Sequence, residues 1–219
     1  MLKKLAAAVL ALASLPALAQ LPAPLKNDVT KRVDGMYPWL DTVYKDLHAH
    51  PEIAFQELRT AGKLAAEMRK LGFQVTEKVG KTGVVAVYKN GAGPTVLVRT
   101  ELDGLPMEEK TGLPYASRAK ASSDGRESFV THSCGHDIHM ASWLGAARTL
   151  VEMKSQWKGT LVFIGQPAEE TVSGARAMLE DGLFTRFPKP DFAFALHSWP
   201  LAHGTVGYNT GAVSSNSDA

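Results

Sequence analysis

The sequence predicts an α/β fold in which helices cover both faces of a sheet. Three short segments, residues 95–98, 161–164 and 192–196, are apolar without interruption. Such runs are typical of central strands that are buried on both faces. Segments with apolar residues at helical spacing, about 138–153 and 174–180, lie between them. Strands that alternate with helices in this way are expected to form one sheet between helical layers.

The first 19 residues have the pattern of a secretory signal peptide. Lys3 and Lys4 form a basic start, residues 5–15 are an apolar run too short to span a bilayer, and an Ala-Leu-Ala site precedes Gln20. We expect cleavage after Ala19, a secreted or periplasmic protein, and no membrane contact after cleavage. The alternative, an N-terminal membrane anchor, fits the short apolar run less well.

Charge does not indicate a nucleic-acid partner. The 219 residues carry a formal net charge of +2, which falls to 0 when Lys3 and Lys4 leave with the signal. No block of like charges stands out that would attract nucleic acid. The length and the apolar content of 45% fit a globular protein with one large domain or two small ones.

The N-terminal part of the chain predicts an exposed leader, two helices and two strands. The leader is residues 20–27, which contain two prolines. A helical pattern begins at Asp28, contains Pro38 as a kink or break, and ends near residue 50. The remaining predictions are a helix at 56–71 with Gly72 at its C-terminal end, strands at 73–79 and 84–89, and a turn at residues 90–91.

The only cysteine lies in residues 131–139, THSCGHDIH, with three of the seven histidines. A thiolate and an imidazole two residues apart, Cys134 and His136, are natural ligands for a divalent metal such as zinc. Gly135 between them lets the backbone bend, and Asp137 is expected to cap the helix that follows. One cysteine cannot form an internal disulfide, and metal binding would protect it in an oxidising compartment. The alternative interpretation is a buried cysteine beside a few surface histidines.

Each of the three apolar strands is followed by a residue that can bind metal or move a proton. Ligands in open α/β sheets gather at the carboxyl ends of strands, although each residue alone would also fit a solvated loop. Plausible metal ligands are Cys134, His136, Glu170 and His197, and these types suit zinc, manganese, cobalt or nickel. Glu169 is then the candidate general base, and Asp103 the carboxylate that orients a ligand imidazole.

The chain resembles the N-terminal half of the amidohydrolase branch of the aminoacylase and carboxypeptidase metallopeptidase family. That branch includes hippurate hydrolases, N-acyl-amino-acid amidohydrolases and auxin-conjugate hydrolases. The similarity runs in family order from about residue 28 to the C-terminus. It rests on five segments: LHAHPE at 47–52, DGLPMEE at 103–109, CGHDIH at 134–139, GQPAEE at 165–170 and ALH at 195–197.

The resemblance implies a zinc-peptidase-like catalytic domain over residues 28–213, with a three-layer α/β/α architecture. It also implies two divalent metal ions, with Cys134, His136, Glu170 and His197 as ligands and Glu169 as the catalytic acid and base. The implied reaction is hydrolysis of the amide bond of a small N-acyl amino acid or peptide by metal-activated water. For a full-length protein of this type, a homo-oligomer is expected.

Three features depart from the family pattern. Glu101 stands where the family usually has aspartate, and Gly104 where it usually has alanine. Family members are roughly twice as long and insert a lid or dimerisation domain, whose start corresponds to residues 214–219. A late histidine that completes the metal site is also absent from these 219 residues. We therefore expect a fragment or a truncated gene product with little or no turnover by itself.

Two other functions stay open at this point. One is a dipeptidase or carboxypeptidase of the same family, and the other is an inactive remnant that binds metal. Five further histidines have no assigned ligand role. We expect His48 and His50 to be structural and His132 and His139 to lie near the ligands, and His203 has the pattern of an ordinary surface residue.

Overall fold

The computed structural model describes residues 22–123, 125–202 and 204–207. The predicted signal peptide, His203 and the predicted start of a lid at 214–219 lie outside these residues. In the described part of the chain, no helix is both long and apolar enough to cross a membrane.

The two N-terminal helices are α1 (Ala23–Ala49) and α2 (Leu58–Lys70). Helix α1 begins five residues before the predicted start, so most of the expected leader is helical, although still largely exposed. Pro24 is tolerated because the first helical turn needs no backbone N–H partner. Pro38 lies inside α1 without ending it. Helix α2 ends as predicted, with Gly72 at a φ of 87° beyond it.

The rest of the described residues contribute seven strands and three further α-helices. Strands β4 and β5 form a small separate hairpin that the sequence did not predict. The elements are β1 (Gln74–Val79), β2 (Gly83–Asn90), β3 (Thr95–Glu101), β4 (Lys120–Ser123), β5 (Arg126–Phe129), α3 (His136–Glu152), β6 (Gly159–Gln166), α4 (Gly174–Glu180), α5 (Leu183–Arg186) and β7 (Phe192–Ala195).

The main sheet has the strand order β1-β2-β6-β3-β7. Strands β3, β6 and β7 are parallel, whereas β2 runs antiparallel to β6 and β1 runs antiparallel to β2. The turn at residues 90–91 therefore joins β2 to β3 without pairing them, because β6 lies between the two strands. The three parallel strands are those that the apolar runs predicted.

Helices cover both faces of this sheet. Along β2, the side chains of Val84 and Ala86 pack on one face of the sheet against α1, α2 and α3. Those of Val85 and Val87 lie on the opposite face, in the cluster that contains Met178 of α4. This alternation is the period of two that a strand imposes on its side chains. The arrangement confirms the predicted α/β fold with three layers, helix on sheet on helix.

Strand β7 differs from the expectation of a buried central strand. It pairs with β3 on one side only, and in the described residues no strand lies on its other side. Phe192 and Phe194 are 58% and 61% exposed. The apolar run identified the strand correctly but did not determine its place in the sheet, because hydrophobicity does not specify which elements cover a strand.

Candidate metal centre

The carboxyl ends of the three parallel strands bring the predicted site residues together. One potential ligand atom each from Cys134, His136 and Glu170 lie within 4.8 Å of one another. His197, which follows β7, reaches the same place, with its Nε2 3.6 Å from Cys134 Sγ. Glu170 and His197 follow two parallel strands, β6 and β7, which end on the same side of the sheet, and the start of α3 brings Cys134 and His136 to that edge.

His136 begins α3 and is completely buried. Its Nδ1 donates to the backbone carbonyl of Asp103 at 2.7 Å, so Nε2 is the ring atom left for the site. Nε2 lies 3.5 Å from Glu169 Oε2 and 3.9 Å from Glu170 Oε1. Burial lowers the pKa of His136, but the contact with Asp103 and the charge of Glu101 outweigh it, and the pKa is raised overall.

Gly135 makes the turn that places Cys134 and His136 on one side. Its φ of 86° is in the left-handed region, and a Cβ there would lie 2.7 Å from Ser198 Oγ. The expected cap at Asp137 is wrong, because Gly135 occupies the N-cap position and Asp137 lies in the first turn. One oxygen of the Asp137 carboxylate accepts the N–H of Ile138 at 2.8 Å, and the other makes a buried contact with His48.

The sequence suggested that the Asp103 carboxylate orients the His136 imidazole. In the structure, the backbone of Asp103 makes the closer contact. Its backbone carbonyl holds His136 Nδ1, while the nearest carboxylate oxygen is 3.6 Å from that nitrogen. The carboxylate itself accepts the backbone N–H groups of Glu169 and Glu170, both at 3.0 Å. Asp103 therefore links the His136 imidazole, through its carbonyl, to the backbone of Glu169 and Glu170, through its carboxylate.

The adjacent glutamates differ in their surroundings. Glu170 has a side chain that is 17% exposed, and its Oε1 is buried without a hydrogen-bond partner in the described residues. Burial and the charges of Glu169 and Asp103 raise the pKa of Glu170 above its usual range. The side chain of Glu169 is twice as exposed, at 34%. Glu169 therefore borders the open side of the cluster.

The donor set fits a divalent cation. Among the described residues, the buried atoms without a hydrogen-bond partner include His136 Nε2 and Glu170 Oε1, and such orphaned buried atoms are rare in proteins. Burial and the negative charge of Glu170 raise the pKa of the Cys134 thiol to about 12. A cation would reverse the direction of that shift, because a coordinating thiol is deprotonated. Sulfur, nitrogen and oxygen donors together suit zinc and related metals.

A second group of potential ligands, Glu101, His136, His139 and His197, overlaps the first. Both ring nitrogens of His139 are already used: Nδ1 donates to Glu101 at 3.2 Å and Nε2 accepts the backbone N–H of Ser198 at 2.7 Å. Glu101 is also paired with Arg99 at 2.5 Å. In this group, Glu101 and His139 therefore hold the backbone next to His197, as expected for residues that lie near the ligands.

His48 forms a buried clamp next to the cluster. Its Nδ1 lies 2.7 Å from Asp137 Oδ2 and its Nε2 lies 3.0 Å from Glu109 Oε1. Both nitrogens must donate to carboxylates, which requires the protonated ring. Burial lowers the pKa of His48, but the two carboxylates outweigh it and the pKa is raised overall. His50 is exposed and bonds to the backbone of Asp46.

Sequence reasoning missed Glu109 as a partner of His48, since no spacing rule links residues 61 positions apart. It placed His132 near the ligands, and the ring centre of His132 lies 6.5 Å from that of His136. Both ring nitrogens of His132 are buried without a hydrogen-bond partner in the described residues. Burial lowers its pKa to about 4, so this ring is neutral near physiological pH.

Comparisons with known proteins give several matches. Residues 97–214 match the sequence model of peptidase family M20/M25/M40. A hippurate hydrolase of Campylobacter jejuni is 38% identical over 181 residues, which are 82% of this chain and 44% of the relative. An N-acetylcysteine deacetylase of Bacillus subtilis is also 38% identical, over 80% of this chain and 44% of the relative.

The fold is also similar to that of a solved structure. A Bacillus subtilis protein described as a dinuclear metal-binding peptidase of the M20 family superposes with a TM-score of 0.63 and 34% identity. The superposition covers 80% of this chain and 44% of that protein. The chain thus spans less than half the length of these relatives.

Proposed function

The chain belongs to peptidase family M20/M25/M40, and on this basis we propose that it forms the metal-binding part of an amidohydrolase. The proposed substrates are N-acyl amino acids or similar conjugates, cleaved at the amide bond. The observation that carries this proposal is the convergence of His136 Nε2 and Glu170 Oε1, both buried and without a partner among the described residues, on Cys134. The relatives named as hippurate hydrolase and N-acetylcysteine deacetylase support the substrate class.

Cys134, His136, Glu170 and His197 are the residues that would hold divalent metal. We propose two ions of zinc, manganese, cobalt or nickel, in line with the neighbour described as dinuclear. When bound, such a cation supplies a Lewis acid that polarises a carbonyl and lowers the pKa of water. The low exposure of His136 and Glu170 would keep bulk water away from the donors.

Glu169 is proposed as the general base and acid. Its carboxylate borders the open side of the cluster, 3.5 Å from His136 Nε2, so it can take a proton from an attacking water molecule. The same carboxyl group would then give that proton to the leaving nitrogen. Its backbone is held by Asp103 at 3.0 Å, and this contact limits how far the carboxylate can move.

The runner-up function is a dipeptidase or carboxypeptidase, which the neighbour described as a peptidase favours. The two functions are separated by comparing hydrolysis of benzoyl-glycine with hydrolysis of a panel of dipeptides. Faster turnover of the dipeptides by a metal-loaded preparation would overturn the amidohydrolase proposal. A preparation that binds metal but hydrolyses neither class would support the third possibility, an inactive remnant.

We expect zinc or manganese to stabilise the chain against unfolding. A ligand that binds only the folded state at a hundred times its Kd adds about 2.7 kcal/mol. The Cys134→Ala variant should lose at least about half of this stabilisation and bind metal more than about 10-fold more weakly, because losing even a residue that only hydrogen-bonds to a ligand costs about 10-fold. Thermal unfolding with and without a chelator, together with metal titration, measures both quantities.

The matched control for that experiment is Ser133→Ala, an exposed neighbour of Cys134. It should leave the metal-dependent stabilisation unchanged. Equal metal affinity in wild type and Cys134→Ala would contradict the assignment of the thiol as a ligand.

We also propose that the protein is exported and cleaved after Ala19. The basic start, the short apolar run and the small-residue site of the first 19 residues support this. Sequencing of the N-terminus of protein from the periplasm or medium should begin at Gln20. A first residue of Met1 in that material would contradict the proposal.

A further inference from the structure

Three consecutive backbone N–H groups after β6 are held by buried carboxylates. Asp103 accepts those of Glu169 and Glu170, as described above. The preceding N–H, of Ala168, donates at 2.7 Å to Glu57, a residue 111 positions earlier in the chain. Ala168 itself has a φ of 48°, a left-handed conformation that a residue with a side chain adopts only when its surroundings enforce it.

Glu57 makes this contact and does not cap its own helix, α2. It occupies the N-cap position of α2, yet its side chain makes no capping hydrogen bond. Glu52 takes over that task, since its carboxylate oxygens accept the backbone N–H groups of Arg59 and Thr60 at 3.0 and 2.8 Å. The carboxylate of Glu57 is thus free to turn into the core.

The environment of Glu57 is costly for a charge. The residue is completely buried, and Thr82 Oγ1 donates to it at 2.5 Å. Burial raises the pKa of Glu57, although the hydrogen bonds from Thr82 and Ala168 oppose that rise. A buried carboxylate is tolerated only when donors satisfy it, and one of these donors belongs to the turn that carries Glu169.

We propose that Glu57 is a positioning residue: it fixes the Ala168 turn and so directs the Glu169 carboxylate at the reacting atoms. This inference rests on the proposed function of Glu169. The hydrogen bond from Ala168 to Glu57 is observed whatever that function is. Among the described residues, Glu57 makes no hydrogen bond to the proposed ligands or to Glu169, and its link to the site is the backbone N–H of Ala168. Asp103 accepts the backbone N–H groups of the next two residues, Glu169 and Glu170. The carboxylates of Glu57 and Asp103 together therefore fix the backbone of residues 168–170.

The test compares Glu57→Leu with Glu57→Gln. Leucine removes the acceptor and leaves the Ala168 N–H unpaired, whereas glutamine keeps one carbonyl oxygen that can accept it. In a preparation that hydrolyses an N-acyl amino acid, Glu57→Leu should lower kcat by about 10-fold to 100-fold, as a displacement near 1 Å does. KM and metal content should stay within about two-fold of wild type, and Glu57→Gln should restore most of kcat.

A matched control is Thr60→Val on the same helix. Thr60 is also completely buried, and its hydroxyl has no hydrogen-bond partner in the described residues. This variant changes a buried polar group of α2 without touching the Ala168 turn, so kcat should not change. A fall in kcat for Thr60→Val as large as that for Glu57→Leu would overturn the inference, because loss of α2 packing would then explain both.

Hydrogen exchange measured on the peptide covering residues 165–174 supplies a readout that does not need activity. Glu57→Leu should speed exchange there, and Glu57→Gln should not. If the wild type binds no metal and hydrolyses no substrate, the proposed function fails, but faster exchange still supports the positioning role. Unchanged exchange in Glu57→Leu overturns it. Should the leucine variant not fold, Glu57→Asp keeps the charge and shortens the reach to Ala168, and the same outcomes apply.

Discussion

In a preparation that hydrolyses an N-acyl amino acid, the Glu169→Gln variant should keep its metal and lose hydrolysis by a factor of about 10² to 10⁴, the usual cost of removing a general base. Glutamine has nearly the same shape, so the backbone contact with Asp103 at 3.0 Å should survive. It cannot accept the proton, however, and the attacking water molecule would then have no base. Metal content by mass spectrometry and hydrolysis of an N-acyl amino acid at saturating metal test this expectation.

Glu170→Gln is the comparison that separates the two adjacent residues. It removes the charge of a carboxylate whose Oε1 is buried without a partner in the described residues. We therefore expect weaker metal binding, with part of the activity recovered at high metal concentration. If Glu169→Gln lost its metal while Glu170→Gln kept both metal and activity, the two roles would be exchanged.

A second large effect is expected for His48→Leu, which should destabilise the fold by about 3 to 5 kcal/mol. The side chains of Asp137 and Glu109 are only 4% and 3% exposed. Without the imidazolium between them, two buried carboxylates lose their counter-charge. Urea unfolding followed by circular dichroism measures the difference.

His50→Ala is the control, two positions along the same segment. The His50 side chain is 54% exposed, so its loss should change the free energy of unfolding by no more than about 0.5 kcal/mol. A similar loss for both variants would show that the helix end, rather than the ion pairs of His48, is responsible.

The effect of His48 on stability should depend on pH. Its pKa is raised in the folded state above the ordinary value of 6.5, so its contribution is fully present below that pH. The contribution is lost as the pH rises through the folded pKa, because the ring then releases its proton in the folded state as well. The difference between wild type and His48→Leu should therefore be smaller at about pH 9 than at about pH 6.5. An equal difference at both values would mean that the ring is not protonated in the folded state.

Local pattern predicted most elements of the fold. Apolar spacing placed α2 and α4 within two residues of their observed bounds and located the three parallel strands. The errors occurred where the spacing of apolar residues carries no information. Helix α1 starts earlier than predicted because proline fits the first turn, and the edge position of β7 depends on strand order. The β4–β5 hairpin had no recognisable pattern.

The candidate ligands could be chosen from the sequence because Glu170 and His197 follow apolar strands, and Cys134 and His136 lie two residues apart at the start of a helix. Their supporting contacts could not be chosen in this way. Glu57 gave one usable indication: it is in register with Ala61, Leu64 and Met68 on the buried stripe of α2, where a charge is unexpected. That position suggests burial, but it does not name Thr82 or Ala168 as partners.

The sequence alone therefore determined which residue types were available, and where along each strand or helix they lay, since both depend on neighbours a few positions apart. Only the tertiary structure decided that Asp103 holds the backbone of Glu169 and Glu170, that Asp137 pairs with His48 instead of capping α3, and that Glu57 reaches Ala168. These contacts join residues 66 to 111 positions apart. At such separations the chain can bring many pairs together, and packing of the three layers selects among them.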